Sequence, residues 1–412
     1  MGKKHKTKIV NDPVHGFIHI SSPLILSLLE HPYVQRLRNI KQLGLTYLVY
    51  PGACHNRLQH ALGATHLMDK ALATLKNKGH HITPEETEMA LAAILLHDIG
   101  HSPFSHTLEF SLVEGTNHEA VSKLFIRRLN EEFGGVLDSA VEIFAKRYRK
   151  RFLNELVSGQ LDVDRLDYLR RDSFFSGVVE GMVGIERLIS MLDICDEELV
   201  VEAKGIYSVE NFLISRRLMY WQVYMHKTVL SAENVLLQIL RRAKYLTRNG
   251  EKLFASPALL YFLNCDEDGE AMLRDEELPE RFSRLCDGDV ESAATVWTSH
   301  PDRILSRLCR MLAHRILPRT ELASEPFDEE KIEGKRREVK RRLNLDDEGA
   351  DYFVTSKTVS NTAYSPDKQH SILIKYNDGT LTDVAEASDM LRDSRLDSAT
   401  CKYMLSYPKH EE

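Results

Sequence analysis

The chain has 412 residues, 43% of them hydrophobic, and a formal net charge of −7; it can bury a large core, one big domain plus an appendage is expected, and the acidic balance excludes a general polyanion binder. Its six cysteines (Cys54, Cys195, Cys265, Cys286, Cys309, Cys401) stand far apart with no C-x-x-C spacing, which excludes a zinc ribbon or a disulfide framework and points to a reducing cytoplasm. No run reaches the length of a membrane span, and the basic start from Met1 to Lys6 lacks the apolar stretch of a signal peptide.

Residues 8–10 and 16–20 flank a turn at Asn11-Asp12-Pro13 and read as a short hairpin. Ser21 or Ser22 with Pro23 starts a helix. Apolar spacing through Leu24, Leu28 and Leu29, then Val34, Leu37 and Ile40, gives two short helices broken at His31-Pro32. The second carries Gln35, Arg36, Arg38 and Lys41, a polar face that is either solvated surface or an anion site. A loop follows through Gln42, Leu43 and Gly44 to Asn56, leading into a helix that bears Arg57 and His60. Their spacing of three places both on one face, where a guanidinium can grip phosphate oxygens beside a metal ion.

The next helix ends in Leu95-Leu96-His97-Asp98-Ile99-Gly100-His101-Ser102-Pro103-Phe104-Ser105-His106. Ala90, Leu91, Ile94 and Leu95 precede the His-Asp pair at helical spacing, which puts it at the end of a core helix. An imidazole nitrogen and a carboxylate oxygen from adjacent residues suit a hard or borderline divalent ion. Two more ligands are needed, and His60 and Asp164 are candidates. Gly100 allows a left-handed or sharp exit, and Pro103 stops the helix, so that His101 and His106 fold back over its end. Glu109 and His118 come next, with Asn117 or Thr116 capping the helix that His118 opens. A Glu bonded to a His orients the ring and raises its basicity.

The basic run from Lys146 to Arg151 reads most simply as a solvated helix face. In the acidic segment that follows, Asp164, Tyr168 and Asp172 share one helical stripe, with Arg165 beside it. Such a stripe could hold a metal at one end and a sugar hydroxyl at the other. Residues 177–184 read as a flexible connection and residues 199–207 as another hairpin. A long helix, with an interruption allowed, runs from Ser208 to about Arg248 and aligns Arg216, Tyr220 and Tyr224. Residues 266–302 alternate acidic turns with short helices, and residues 331–343 form a basic exposed helix. The segments 351–354, 371–376 and 380–384 are β-like, with a hairpin turn at Asp378-Gly379. The expected organisation is a core over residues 1–320 and a small α+β region over residues 321–412.

Taken together, Asn11-Asp12-Pro13-Val14-His15-Gly16, the run from Gln35 to Gly44, Pro51-Gly52-Ala53, His55-Asn56-Arg57, His60, the loop from His97 to His106 and Val163-Asp164-Arg165-Leu166-Asp167-Tyr168 resemble the HD-domain deoxynucleoside triphosphate triphosphohydrolases. The likeness covers about residues 8 to 245 and is to the core of the vertebrate SAM- and HD-domain enzymes and their bacterial relatives. It implies a mainly α fold, with an HD-domain helical core, short β-hairpins and a small C-terminal α+β appendage. It further implies a divalent metal ion (Mg, Mn, Fe, Ni or Zn) held by His60, His97, Asp98 and Asp164. Arg57, Arg165, Tyr168 and Arg216 would face a triphosphate. His101, His106 and His118, the last paired with Glu109, would surround the α-phosphate, and Gln42 and Asp172 would contact the 3′-hydroxyl. Leu43 and Tyr224 would crowd the 2′ position and select deoxyribose.

The implied reaction is attack of water at the α-phosphorus, releasing deoxynucleoside and inorganic triphosphate. Departures from the family pattern are Arg165 for Lys, Glu109 for Asp, Met225 for a base-facing Gln, and Glu30 for a guanine-reading Asp. Lys8, Gln35 and Arg38 match the family's allosteric nucleotide site, implying a guanine-nucleotide or dNTP activator and a homo-oligomer, dimer or tetramer. Two other functions share some of these features: a phosphohydrolase of nucleoside monophosphates or another phosphoester, and a nucleic-acid-binding protein with a residual metal site. The density of cations and donors argues against the first, and the acidic charge with a complete ligand set against the second.

Overall fold

The computed structural model describes residues 7–112, 115–265, 269, 274–275, 277–361, 371–392 and 400–409. The basic start and most of the acidic turn beginning at Asp266 lie outside the described residues.

Strands β1 (Lys8–Asp12) and β2 (Gly16–Ile20) form the expected antiparallel hairpin, with Asp12 opposite Gly16. Gly16 closes it at φ +75, a conformation that disfavours any residue with a Cβ. Helix α1 (Pro23–Glu30) starts on Ser22, whose hydroxyl accepts the Ile25 N–H at 3.1 Å. Beyond His31, α2 (Pro32–Gln35) tightens at once into a 3₁₀ turn over Arg36–Asn39. Capping boxes then start both helices that carry the central site. Asn56 with Gln59 opens α3 (Arg57–Asn77), and Thr83 with Glu86 opens α4 (Pro84–Leu96). The last turns of α4 are buried all round, from Ala92 to Leu96, as befits a helix in the middle of a core.

Around this pair lie α5 (Glu109–Leu112), α6 (His118–Glu132), α7 (Asp138–Phe144), α8 (Arg151–Ser158), α9 (Val163–Ser176) and α10 (Ile185–Ser190). Helix α3 lies against both α4 and α9. The run expected as a helix face at residues 146–151 is instead a turn between α7 and α8, started by Lys146 at φ +59. Its charges are matched locally: Arg147 pairs with Glu142, Lys150 with Glu86 and Arg151 with Glu198. The connection at residues 177–184 is not slack either. Gly181 sits so close to Met219 that a Cβ would come within 2.7 Å of its sulfur.

The second hairpin lies earlier than expected. Strand β3 (Leu192–Cys195) pairs with β4 (Glu198–Glu202), Leu192 opposite Val201, across a turn at Asp196 and Glu197 with positive φ. The apolar run at 199–201 therefore finds its partner upstream, and residues 203–205 turn directly into α11 (Ile206–Met219). The long helix is interrupted as allowed: a single wide turn at Tyr220–Tyr224 precedes α12 (Lys227–Arg248).

Beyond α12 the described residues form further helices and five further strands: β5 (Arg319–Ala323), β6 (Thr355–Asn361), β7 (Leu373–Lys375), β8 (Leu381–Asp383) and β9 (Thr400–Tyr407). The turn at Asp378-Gly379 joins β7 to β8 as expected, with Gly379 at φ +87. The strand expected at 351–354 starts only at Thr355, because Phe353 and Val354 still bond to the Ala350 carbonyl and close a helical turn. Two sheets result, ordered β3-β4-β7-β8 and β5-β9-β6. Strand β7 runs parallel to β4, so strands from either side of residue 320 share one sheet. The buried cluster likewise continues from α3 and α4 into Ile332, Val339 and Ile374. The fold is mainly helical, and no helix among the described residues is long and apolar enough to cross a membrane.

Candidate active site

Three helices deliver the four proposed ligands to one point. His60 lies one turn into α3, His97 and Asp98 end α4, and Asp164 is the second residue of α9. The Nε2 atoms of His60 and His97 are 3.3 Å apart, and an Asp164 oxygen lies 3.0 Å from the first and 3.5 Å from the second. Asp98 closes the group, its two oxygens 3.3 Å from His97 Nε2 and 3.6 Å from His60 Nε2. The outward-facing nitrogens are already committed. His97 Nδ1 donates to the Ile94 carbonyl at 2.6 Å, and His60 Nδ1 donates to Asp167 at 2.8 Å. Both Nε2 atoms therefore face the carboxylates, the side from which a divalent ion would be bound. Burial works against a charge on His60, but the Asp164 and Asp167 carboxylates raise it to about 10. A bound cation would displace that proton.

Asp98 serves two further neighbours. Arg57 at the start of α3 forms an ion pair with it, and His101 Nδ1 lies 3.2 Å away. Despite burial, His97, His101 and Arg57 hold the Asp98 carboxyl well below the usual range. Arg57 is fixed from the other side by Ser105, whose hydroxyl accepts from Nε at 2.8 Å. Asp164 is likewise held low against burial, by His60 and His97.

Sequence reasoning missed the layer behind these groups. Asp167 is fully buried and accepts from His60, from His15 Nε2 at 2.6 Å and from Arg171 Nε at 2.8 Å. Arg171 bridges on to Asp12 at 2.8 Å. Gly63 makes the room, because a Cβ there would stand 1.9 Å from the Asp167 carboxylate. The readable signal was the i, i+4 pair Asp167 and Arg171 on a helix one turn past a ligand. Asp162 is another structural carboxylate: it caps α9 by accepting the Arg165 N–H at 2.8 Å, and burial pushes it up to about 6.

The loop after α4 folds back as expected, though by different means. Gly100 is not left-handed. It permits close approach, since a Cβ would meet the Ser122 nitrogen of α6 at 2.2 Å. The positive φ values fall on Phe104 (+55) and Ser105 (+58). This brings His101 and His118 into a stack with centroids 4.0 Å apart, and His106 lies 5.1 Å from His118. Asn117, of the two cap candidates, accepts the Ala120 N–H at 2.9 Å. Glu109 organises the group. One oxygen accepts from His118 Nδ1 at 2.5 Å and from its backbone N–H at 2.8 Å, while the other accepts from His106 Nδ1 at 2.9 Å. Burial opposes its charge, but those two histidines hold the carboxyl well below the usual range. Burial, reinforced by Arg57, keeps the His101 imidazole neutral.

A cavity of about 600 Å³ opens beside this group, lined among others by Gln42, Leu43, Arg57, His106, Tyr168, Asp172, Tyr224 and Met225. Asp172 is locked in place by His55 Nε2 at 2.7 Å and by the Tyr224 hydroxyl at 2.7 Å. His55, stacked on Phe175, is a further residue whose role the sequence did not show. The Gln42 Oε1 atom is buried without a partner. Arg165 and Arg216 do not line this cavity. Arg165 turns to Asp162 and the Gly159 carbonyl, and Arg216 to Gln160 at 3.2 Å. Away from the cavity, Lys8 pairs with Glu30 at 3.7 Å, and Gln35 accepts from Arg38 at 2.7 Å while donating to the Leu29 carbonyl at 2.6 Å.

Residues 57–172 match the HD domain model and residues 183–253 the HD associated region. The YwfO protein of Bacillus subtilis is 35% identical over 323 residues, covering 77% of this chain and 72% of that one. The deoxynucleoside triphosphate triphosphohydrolase SAMHD1 of Gallus gallus is 30% identical over 280 residues, 57% of this chain, and the match spans 45% of its length. A crystal structure of a phosphohydrolase from Bacteroides thetaiotaomicron superposes with a TM-score of 0.95 at 48% identity, over 98% of this chain and 100% of that one. The His-Asp ligand cluster, the helices that carry it and these matches place the chain in the HD-domain phosphohydrolase family.

Proposed function

We propose that the protein hydrolyses deoxynucleoside triphosphates to deoxynucleoside and inorganic triphosphate, with a divalent ion bound by His60, His97, Asp98 and Asp164. The observation that carries this reading is the cavity itself. It has the size of a small-molecule site, a fixed guanidinium and an imidazole on its wall, and aromatic and aliphatic walls ending at Asp172 and Gln42. The name of the Gallus gallus relative supports it.

When bound, the ion supplies polarisation of a phosphate oxygen. The chain's own groups do the rest. Arg57, clamped by Asp98 and Ser105, grips phosphate oxygens without having to reorganise. Glu109 accepts hydrogen bonds from the Nδ1–H groups of His106 and His118, so each Nε2 is free to accept or deliver a proton. Protonation of the departing 5′-oxygen is assigned to this histidine group. The 3′-hydroxyl donates its one proton to the unpartnered Gln42 Oε1 or to a remaining lone pair of Asp172. In this reading the Tyr224 ring, tied to Asp172, and Leu43 on the cavity wall would crowd the 2′ position and select deoxyribose. Arg165 and Arg216 reach the triphosphate only by leaving Asp162 and Gln160.

Lys8, Gln35 and Arg38 are proposed as an activator site for a guanine nucleotide or dNTP between subunits of a homo-oligomer, and a cytoplasmic setting fits the unpaired cysteines. Incubation with dNTP, NTP, dNMP and oligonucleotide separates the readings. Turnover of dNTP alone is expected, and turnover of dNMP or oligonucleotide in its place would overturn the assignment.

A further inference from the structure

The turn between β1 and β2 looks at first like a simple surface hairpin, since Asn11 and Pro13 are exposed. His15, the last residue before β2, is not on the surface. The His15 side chain is 1% exposed, and its Nε2 lies 2.6 Å from Asp167 Oδ1. The other oxygen of that carboxylate receives the Nδ1 proton of His60. We infer that His15 is a positioning residue of the metal centre, acting through Asp167 to hold the His60 ring with its Nε2 toward the ion.

Asp12 and Arg171 prepare this contact. Asp12 Oδ1 accepts the backbone N–H groups of Val14 and His15, both at 2.9 Å, which fixes where the His15 side chain leaves the turn. Arg171 then bridges Asp12 to Asp167 and brings a positive charge between two buried carboxylates. Tethering the hairpin needs only that bridge. The His15 bond does something else: it adds a second, shorter donor on Oδ1 beside Arg171 Nη2 at 3.0 Å. Each oxygen then has two donors, Oδ2 those of His60 and Arg171, and the carboxylate is held from both sides so that the acceptor seen by His60 Nδ1 stays fixed. An imidazole ligand whose second nitrogen is held in this way keeps one tautomer and one ring orientation, and removal of such a support typically costs about 10- to 100-fold in metal affinity.

This inference rests on the reading of His60 as a ligand. Apparent Mn²⁺ affinity, measured by competition with a chelator, tests it in the full chain with three variants, alongside melting of the metal-free forms. His15→Phe keeps the ring volume and removes the donor; it is expected to bind Mn²⁺ roughly tenfold more weakly or worse. His15→Gln places an amide N–H near the position of Nε2 and is expected to restore most of the affinity. His60→Ala is expected to lose the ion. Wild-type affinity in His15→Phe with loss in His60→Ala overturns the inference and spares the ligand reading. Equal weakening in His15→Phe and His15→Gln also overturns it, since packing alone would then explain the effect. Full binding in His60→Ala overturns both.

Discussion

Gly63 offers the sharpest test of how closely α3 and α9 are fitted behind the metal centre. Gly63→Ala adds one methyl group on a helix, where propensity alone favours alanine by about 0.5–1 kcal/mol. At this position the new Cβ would stand 1.9 Å from Asp167 Oδ1 and 2.3 Å from Arg171 Nη2, well inside the 3.4 Å where ordinary contact begins. Neither neighbour is a free side-chain end. Asp167 is bound to His60 and His15, and Arg171 to Asp12. Breaking a buried ion pair costs about 3–5 kcal/mol, so partial displacement less the propensity gain leaves a net loss of about 2–4 kcal/mol. With an unfolding entropy of about 2.1 cal/mol/K per residue, a chain of 412 residues melts only about 1 °C lower per kcal/mol. A small drop in Tm should therefore accompany a roughly 10- to 100-fold weaker metal affinity, read by calorimetry and by metal titration. A variant that melts at or above wild type with intact affinity would refute the reasoning.

Glu109→Gln leaves one acceptor oxygen where two are needed for His106 and His118, so kcat should fall about 100-fold or more with metal content unchanged; unaltered kcat would dissociate Glu109 from catalysis. His66 tests the pH response of the core. Burial, then Lys70 and His15, lowers it from 6.5 to about 4. Between those values the unfolded chain binds the extra proton and the folded one does not, so this contribution to stability falls as pH drops through the window. His66→Gln should flatten the Tm profile from pH 6.5 to about 4, and an unchanged slope would count against the assignment. Arg38→Ala removes an exposed guanidinium that donates to Gln35; light scattering with and without dGTP should show weaker nucleotide-dependent assembly, whereas a monomer that is fully active under both conditions would sink the activator site.

The parts of the site that the sequence made legible are those set by local spacing. His97 and Asp98 follow an apolar helical run, His60 follows Arg57 by three, and Asp164, Tyr168 and Asp172 lie on one stripe; the structure brings these groups to one point and one cavity wall. What was not legible depends on distant pairing. Nothing near His15 in the chain announces that it meets Asp167, and only Gly63, read as a space between two helices, hints at how close α3 and α9 come. Gly100 was expected for its backbone freedom and is required for close approach instead, because the neighbour that crowds it belongs to α6. The early position of the β3–β4 hairpin has the same origin. An apolar strand such as residues 199–201 can pair upstream or downstream, and here the upstream choice leaves its other edge for β7 of the C-terminal region.

The central claim is attack of water at the α-phosphorus of a deoxynucleoside triphosphate. Hydrolysis of dGTP in ¹⁸O-enriched water, with products resolved by ³¹P NMR and mass spectrometry, tests it most directly. The expected result is unlabelled deoxyguanosine and inorganic triphosphate carrying a single ¹⁸O on a terminal phosphorus. Label in the 5′-hydroxyl of deoxyguanosine, or formation of dGDP with orthophosphate, would contradict it.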